Sequence, residues 1–207
     1  MKKLVDDLKN IIIGYSGHAY GVIEAAMHTR NCFTGYCDLN EAKANPYALN
    51  FEGLETKEVL DANNWFIGIG DNLKREKLYY QFKDCGQLIN VLSRSAHISS
   101  SATLSKGIFV GPNTIVHSLA KIGIGVIINS GSIVEHECTI GAFSHIAPGA
   151  VLLGDVTIGK RCLIGANAAI KPGVSICDDV IIGMGAVVTQ DINKPGVYIG
   201  SPAILKP

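Results

Sequence analysis

The sequence carries no excess charge of either sign: 18 lysines and arginines face 18 aspartates and glutamates among 207 residues. That balance removes the electrostatic footprint of nucleic-acid and anionic-membrane binders, so neither partner is expected. Charged residues are only 17% of the chain and aromatic residues 7%, a composition that suits tight turns and small or branched core residues better than a helical bundle. Long apolar runs are missing too. Ile11 to Ile13 is too short for the core of a signal peptide. No stretch approaches the roughly 20 apolar residues of a membrane span, and a cytoplasmic location is expected. The six cysteines (Cys32, Cys37, Cys85, Cys138, Cys162, Cys177) form no CxxC pair and no zinc-like ladder, which points to reduced, mostly buried thiols and no metal.

Glycine is plentiful, at 23 residues, and its placement follows a repeat. From Ile98, every sixth residue is aliphatic: Leu104, Val110, Val116, Ile122, Ile128, Val134, Ile140, Ile146, Leu152, Ile158, Ile164, Ile170, Ile176, Ile182 and Val188. Two positions earlier the residue is usually small or branched, as at Ala102, Thr114, Ala120, Ser132, Cys138, Ser144, Ala150, Cys162, Ala168 and Ala186. The position after the aliphatic is often glycine, as at Gly111, Gly123, Gly141, Gly159, Gly165 and Gly183. A period of six fits neither a 3.6-residue helix nor a flat strand, so the chain must turn a corner every hexad. The expectation is a triangular parallel β-helix in which residues 18 apart stack, with glycine supplying the backbone angles of the corner.

This register of hexads resembles the hexapeptide-repeat acyltransferases. The resemblance implies that the prism is a left-handed β-helix and that the working unit is a homotrimer.

Residues 10–92 lack the repeat. A buried strand at "NIII", a Gly-rich turn, a helix from about His18, strands at "CFTGYCD" and "WFIGIGDN", a helix at "LKREKLYYQFKDC" and then "QLINVL" read as a small parallel α/β domain. Gly14, Ser16, Gly17 and His18 lie where strand gives way to helix, a place that favours anions. Asp38 follows at the distance of a ribose-binding acid, and the "GIGDN" loop with Gly70 and Asn72 ends the third strand on the same edge. The domain is about half the length of a dinucleotide fold, so a mononucleotide head suits it better than NAD. The division expected is residues 1–92 for nucleotide-sugar binding, 93–192 for the β-helix, and 193–207 for a tail over a CoA groove.

Within the β-helix, "VEHE" gathers charge in a packing repeat. Val134 points inward, so Glu135, His136 and Glu137 occupy the corner after it. A neutral imidazole takes a proton from an attacking amine, and a neighbouring carboxylate fixes its tautomer and stabilises the imidazolium. Gly154 stacks on His136 one coil later and leaves room for a pantetheine arm. His145 lies half a coil from His136 and faces another side of the prism; a meeting of the two rings requires a second chain. No serine or cysteine motif argues for an acyl-enzyme.

A "GxSGHA" turn, an "IGxN" loop and a hexapeptide β-helix carrying "VEHE…FSH" together resemble the sugar-nucleotide acetyltransferases of the bacillosamine and perosamine type, often described as sialic-acid O-acetyltransferases. The resemblance spans nearly the whole chain. It implies an N-terminal domain that binds the nucleotide of the sugar, a β-helix that binds acetyl-CoA, and an N-acetyltransferase with His136 as base and Glu137 beside it. His145, Gly154, Ala166 and Met184 correspond to cofactor positions, the last two acting through backbone atoms. Gly14, Ser16, Gly17, His18, Asp38, Gly70, Asn72 and Asn129 are assigned to the acceptor, a UDP-4-amino-4,6-dideoxy sugar being the expected one. The tail "PGVYIGSPAIL" departs from the family's "PxxGxPAK" by placing Ile204-Leu205 where a basic residue is usual. Three rivals stand beside this reading: O-acetylation of a sialic acid hydroxyl, a non-catalytic nucleotide-sugar binder, and a metal enzyme like the γ-type carbonic anhydrases, using His117, His136 and His145.

Overall fold

The computed structural model describes residues 8–27 and 29–206. Five strands, β1 (Asn10–Ile13), β2 (Gly35–Cys37), β3 (Asn50–Phe51), β4 (Asn64–Ile67) and β5 (Gln87–Leu88), form one sheet in the order β3-β2-β1-β4-β5. All pairings are parallel. The central strand β1 is buried throughout, because successive isoleucines serve opposite faces of the sheet. Ile12 packs with Ala19, Val22 and Ile23 of helix α1 (Gly17–Ala26). Ile13 packs with Leu60 of α2 (Lys57–Asp61) and Phe82 of α3 (Asn72–Phe82).

Two elements of this domain were not anticipated, β3 and α2. They are two and five residues long, below the length at which a period is visible; α2 is held instead by its cap, in which Thr56 Oγ1 accepts from Val59 N–H at 3.4 Å. The "QLINVL" segment divides: Gln87–Leu88 joins the α/β sheet, whereas Val91–Leu92 pairs with Phe109–Val110 as a rung of the solenoid.

From there the chain winds as a left-handed parallel β-helix of two-residue rungs on three faces. Each rung lies over the one 18 residues later, as Val116 over Val134 and Val134 over Leu152. Every repeat aliphatic from Val110 to Val188 is buried, and Ile98 and Leu104 pack at the open end of the same core. Buried hydroxyls are satisfied by backbone carbonyls of the wall: Ser144 Oγ donates to Gly159 O at 2.7 Å and Thr114 Oγ1 to Asn129 O at 3.0 Å.

The reason for the repeat glycines differs from the expectation. Gly141 and Gly159 do not adopt a left-handed backbone; a Cβ on Gly141 would stand 2.5 Å from the carbonyl carbon and oxygen of Gly159. Glycine is required there because successive coils approach too closely for any side chain. The left-handed residue comes two positions later, at Gly125, Gly131, Glu137, Phe143, Gly149, Asp155 and Arg161, again with period six. Each corner therefore turns on a left-handed residue of almost any type, and at the "VEHE" corner that residue is Glu137, with φ of 63°.

The three faces show different outward residues. One carries Val91, Phe109, Ile127, His145, Leu163 and Ile181, and its first three pack under α1. A second carries Ile115, Ile133, Val151, Ala169 and Val187. The third carries Thr103, Lys121, Thr139, Thr157 and Ser175 and is polar.

Candidate active site

Local chain geometry brings His136 and Glu137 together. On an extended strand adjacent side chains diverge, but the left-handed turn at Glu137 sets its carboxylate beside the preceding ring: His136 Nδ1 and Glu137 Oε2 are 3.0 Å apart. Both neighbouring coils pin the corner, since Glu137 N–H donates to Ser118 O and Asp155 N–H donates to His136 O. A carboxylate only accepts, so Nδ1 carries the hydrogen, and in the neutral ring the lone pair lies on Nε2. Both side chains are about half exposed. Gly154 lies beneath them, and the space left by its missing Cβ is filled by the His136 imidazole: a methyl there would be 2.5 Å from Cε1 and Nε2. Room for the ring is what the glycine provides in this chain.

A second group forms where the α/β domain meets the solenoid. Asn129 Oδ1 accepts from Ser130 N–H at 2.8 Å, which fixes the amide orientation and turns Nδ2 to His145 Nε2 at 3.2 Å. An amide nitrogen only donates, so Nε2 of His145 is the acceptor. Burial, then the neighbouring His18 and Arg75, push His145 down to about 3. His18, 6.0 Å away ring to ring, is pushed down to about 4 by burial and then by Arg75; its Nε2 is buried without a partner among the described residues. His145 is thus engaged at Nε2 within its own chain, on a different face from His136.

Sequence reasoning missed Arg75. Its guanidinium is buried and donates Nε to Gly125 O at 2.7 Å, Nη1 to Ile69 O and Gly70 O at 3.0 Å each, and Nη2 to Phe143 O at 2.7 Å and Asn72 Oδ1 at 2.8 Å. Burial lowers it to about 10. Asn72 in turn donates to the carbonyls of Arg161 and Cys162, both at 3.0 Å. Asn72 was expected in the nucleotide crevice; it lines a groove beside His145 and Leu163 instead, clamping α3 to the solenoid.

The crevice itself lies at the carboxyl ends of β1 and β2, a cavity of about 480 Å³ lined by Gly14, Ser16, Asp38 and Glu55, with Lys74 and Lys77 from α3. Asp38 stitches it together, its Oδ2 accepting from Tyr15 N–H at 2.9 Å and its Oδ1 from Leu39 N–H at 2.7 Å. Ser16 caps α1 by position, and its hydroxyl makes no cap bond. The two lysines were also missed, because "LKREKLYYQF" reads as a solvated helix; their three-residue spacing, which puts them on one face, was the available signal. Gly17 and His18 line a neighbouring cavity of about 540 Å³ with Asn129 and Ser130 at the solenoid edge. Farther along that edge, Ala166 O accepts from Gly185 N–H at 2.8 Å, and Met184 is 83% exposed. Among the described residues no group of three His, Cys, Asp or Glu converges as a metal site would, and no helix is long and apolar enough to cross a membrane.

Known proteins match both halves of this arrangement. The PglD N-terminal domain model matches residues 9–82, and the model of the hexapeptide repeat of succinyl-transferase matches residues 155–190. Perosamine N-acetyltransferase from Caulobacter crescentus, solved with CoA and GDP-perosamine, is 33% identical with a TM-score of 0.91, over 96% of this chain and 97% of that one. The acetyltransferase domain of PglB from Neisseria gonorrhoeae, solved with acetyl coenzyme A, is 26% identical with a TM-score of 0.88, over 96% and 98%. WeeI from Acinetobacter baumannii, 21% identical with a TM-score of 0.65 over 96% and 100%, shares the fold. With a match above 30% identity that runs through the α/β domain and the solenoid alike, the chain belongs to the hexapeptide-repeat sugar-nucleotide acetyltransferases, the family of perosamine N-acetyltransferase.

Proposed function

We propose that this protein transfers an acetyl group from acetyl-CoA to the amino group of a nucleotide-linked amino sugar, by direct attack with His136 as general base. The observation that carries the proposal is the His136–Glu137 pair over Gly154: a ring with Nδ1–H held by a carboxylate and Nε2 open to an approaching amine. The amine nitrogen attacks the thioester carbon and gives its proton to Nε2. The C–N bond forms as the C–S bond breaks, and the proton passes from the imidazolium to the departing thiolate of CoA. Glu137 stabilises the imidazolium in between. The expected location is the cytoplasm.

A homotrimer completes the site. The face carrying Ile115, Ile133, Val151, Ala169 and Val187 is an apolar ladder that a single chain leaves half-buried, whereas one neighbouring face packs under α1 at its first rungs and the other is polar. Its two edges carry complementary parts: His136, Glu137 and Gly154 follow its rungs, whereas Asn129, Ala166 and Met184 precede them. A heterologous contact that closes into a ring brings the first edge of one chain to the second edge of the next. The acceptor's nucleotide occupies the Gly14–Asp38 crevice, where Lys74 and Lys77 supply cations for phosphate. The expected acceptor is a UDP-4-amino-4,6-dideoxy sugar.

The test is CoA thiol release with acetyl-CoA and a panel of UDP-, GDP- and dTDP-linked 3-amino and 4-amino sugars, with free sialic acid as the hydroxyl acceptor. Transfer to an amino sugar and a fall of roughly 10²–10⁴ in kcat for His136→Ala are the expected results. Release with sialic acid alone, or wild-type turnover in His136→Ala, overturns the proposal.

A further inference from the structure

Helix α3 carries two sets of side chains on opposite faces. Asn72, Arg75, Glu76 and Tyr79 recur at helical spacing and meet the solenoid. Lys74, Lys77, Leu78 and Gln81 repeat that spacing two residues later and line the nucleotide crevice. At about 3.6 residues per turn an offset of two residues is a rotation of about 200°, so whatever fixes the first face aims the second. The first face docks on one column of left-handed corners, Gly125, Phe143 and Arg161, each one coil after the last. Arg75 donates to the carbonyls of Gly125 and Phe143 at 2.7 Å each, and Asn72 donates to that of Arg161 at 3.0 Å. The Arg161 guanidinium is gripped by both carboxylate oxygens of Asp179 at 2.7 Å and donates to Glu76 Oε1 at 3.2 Å. Arg75 also holds the crevice wall. Its Nη1 donates to Ile69 O at 3.0 Å, and the Ile69 side chain lies so close to Gly14 that a Cβ there would stand 2.9 Å from Cγ1. Neither Lys74 nor Lys77 spends its ammonium on a hydrogen bond or ion pair among the described residues.

We propose that Arg75 is a positioning residue for the nucleotide: by pinning α3 to the solenoid corners and to the Ile69 wall, it sets where Lys74 and Lys77 meet a diphosphate. The solenoid thereby takes part in binding on the far side of the helix. The spread of its acceptors fits the planar five-donor fork of arginine and not the point charge of lysine. Without the fork the carbonyls of Gly125 and Phe143 lose their donor at the seam, α3 is released from the column, and the two ammonium groups lose their common focus across from Gly14 and Ser16. The proposal rests on the nucleotide-sugar reading above, and its test is a binding measurement that needs no turnover.

The experiment is Arg75→Lys, which keeps the charge and loses the fork, in the full-length protein. Calorimetric titration with UDP, GDP and dTDP is expected to show the Kd of the tightest of the three rise about tenfold, the scale of coupling within one network, while the Kd of CoA is unchanged. In a Lys74→Ala/Lys77→Ala background the same substitution is expected to cost little further, because the groups it positions are gone. A variant with lowered Tm but native diphosphate affinity, an equal loss for diphosphate and CoA, or losses that add fully in the combined mutant overturns the proposal. If Arg75→Lys does not fold, Glu76→Ala frees the same face of α3 from Arg161 and is read by the same cycle. A native protein that binds none of the three diphosphates also overturns it, whatever thiol release shows. Absence of acetyl transfer with the binding cycle intact counts against the reaction and not against Arg75.

Discussion

The imidazole of His136 rests on the backbone of Gly154, one coil later, in space that a single methyl group would take: a Cβ at Gly154 would be 2.5 Å from both Cε1 and Nε2 of the ring. Gly154 is not at a left-handed backbone angle, so alanine is conformationally allowed there and the clash alone decides. The half-exposed ring can swing outward, away from Glu137. Gly154→Ala is therefore expected to fold with a native Tm and to lose kcat by about 10² or more, the lower end for a misplaced general base. Steady-state kinetics beside a melting curve check it; undiminished kcat would mean that the ring does not work from this position.

Glu137 makes the opposite trade. Its φ of 63° costs a non-glycine residue on the order of 1 kcal/mol, and the coils above and below keep the corner in place. Glu137→Gly is expected to raise stability by up to about 1 kcal/mol and to lower kcat, since Nδ1 loses its carboxylate and the tautomer is no longer fixed. Denaturant melts and kinetics on one preparation test both signs. Glu137→Gln separates charge from geometry, because it keeps the strain and loses only the anion.

The repeat was legible because sixteen aliphatics in register have a single geometric explanation, and the corner at His136 stood out as charge inside that register. The left-handed positions were not legible: Leu119, Glu137, Phe143 and Arg161 share a backbone conformation but no chemistry, since the neighbouring coils impose it. Gly14 and Asp38 were placed together correctly as a pair of loop ends, whereas the use of Asp38 to tie down Tyr15 N–H was not visible. Arg75 was the largest omission. It sits in a run of charged residues that looks solvated, and its partners lie 50 and 68 residues away; only the docking of α3 on the solenoid reveals it.

Subunit exchange tests where the site lies. If His136 of one chain works with Asn129 of the next, His136→Ala and Asn129→Ala proteins are each weak alone, yet an equal mixture, unfolded and refolded together, rebuilds intact sites. In a closed ring about one site in four then combines a native His136 with a native Asn129, so recovery of about a quarter of wild-type activity is expected. A site contained in one chain gives no recovery. Ile133→Glu, placed on the apolar ladder, is expected to yield monomers by light scattering and to abolish turnover with the His136 corner intact.

The seam histidines set an acid limit on stability. His145 is held down to about 3 and His18 to about 4, against about 6.5 in an unfolded chain. Both folded values are depressed, so the unfolded state takes up protons first as pH falls. The stability present above about pH 6.5 is then lost progressively toward pH 4 and below. At 1.36 kcal/mol for each pH unit, the loss by pH 5 reaches up to about 2 kcal/mol for each ring. Arg75, buried beside both, opposes relief by protonation in the folded state. The expected result is a Tm that drops between pH 7 and 5 in the native protein and drops less in His18→Gln, measured by thermal melts across that range. A native profile that is flat from pH 7 to 5 would show that these rings accept protons without unfolding, and that the seam is open to water.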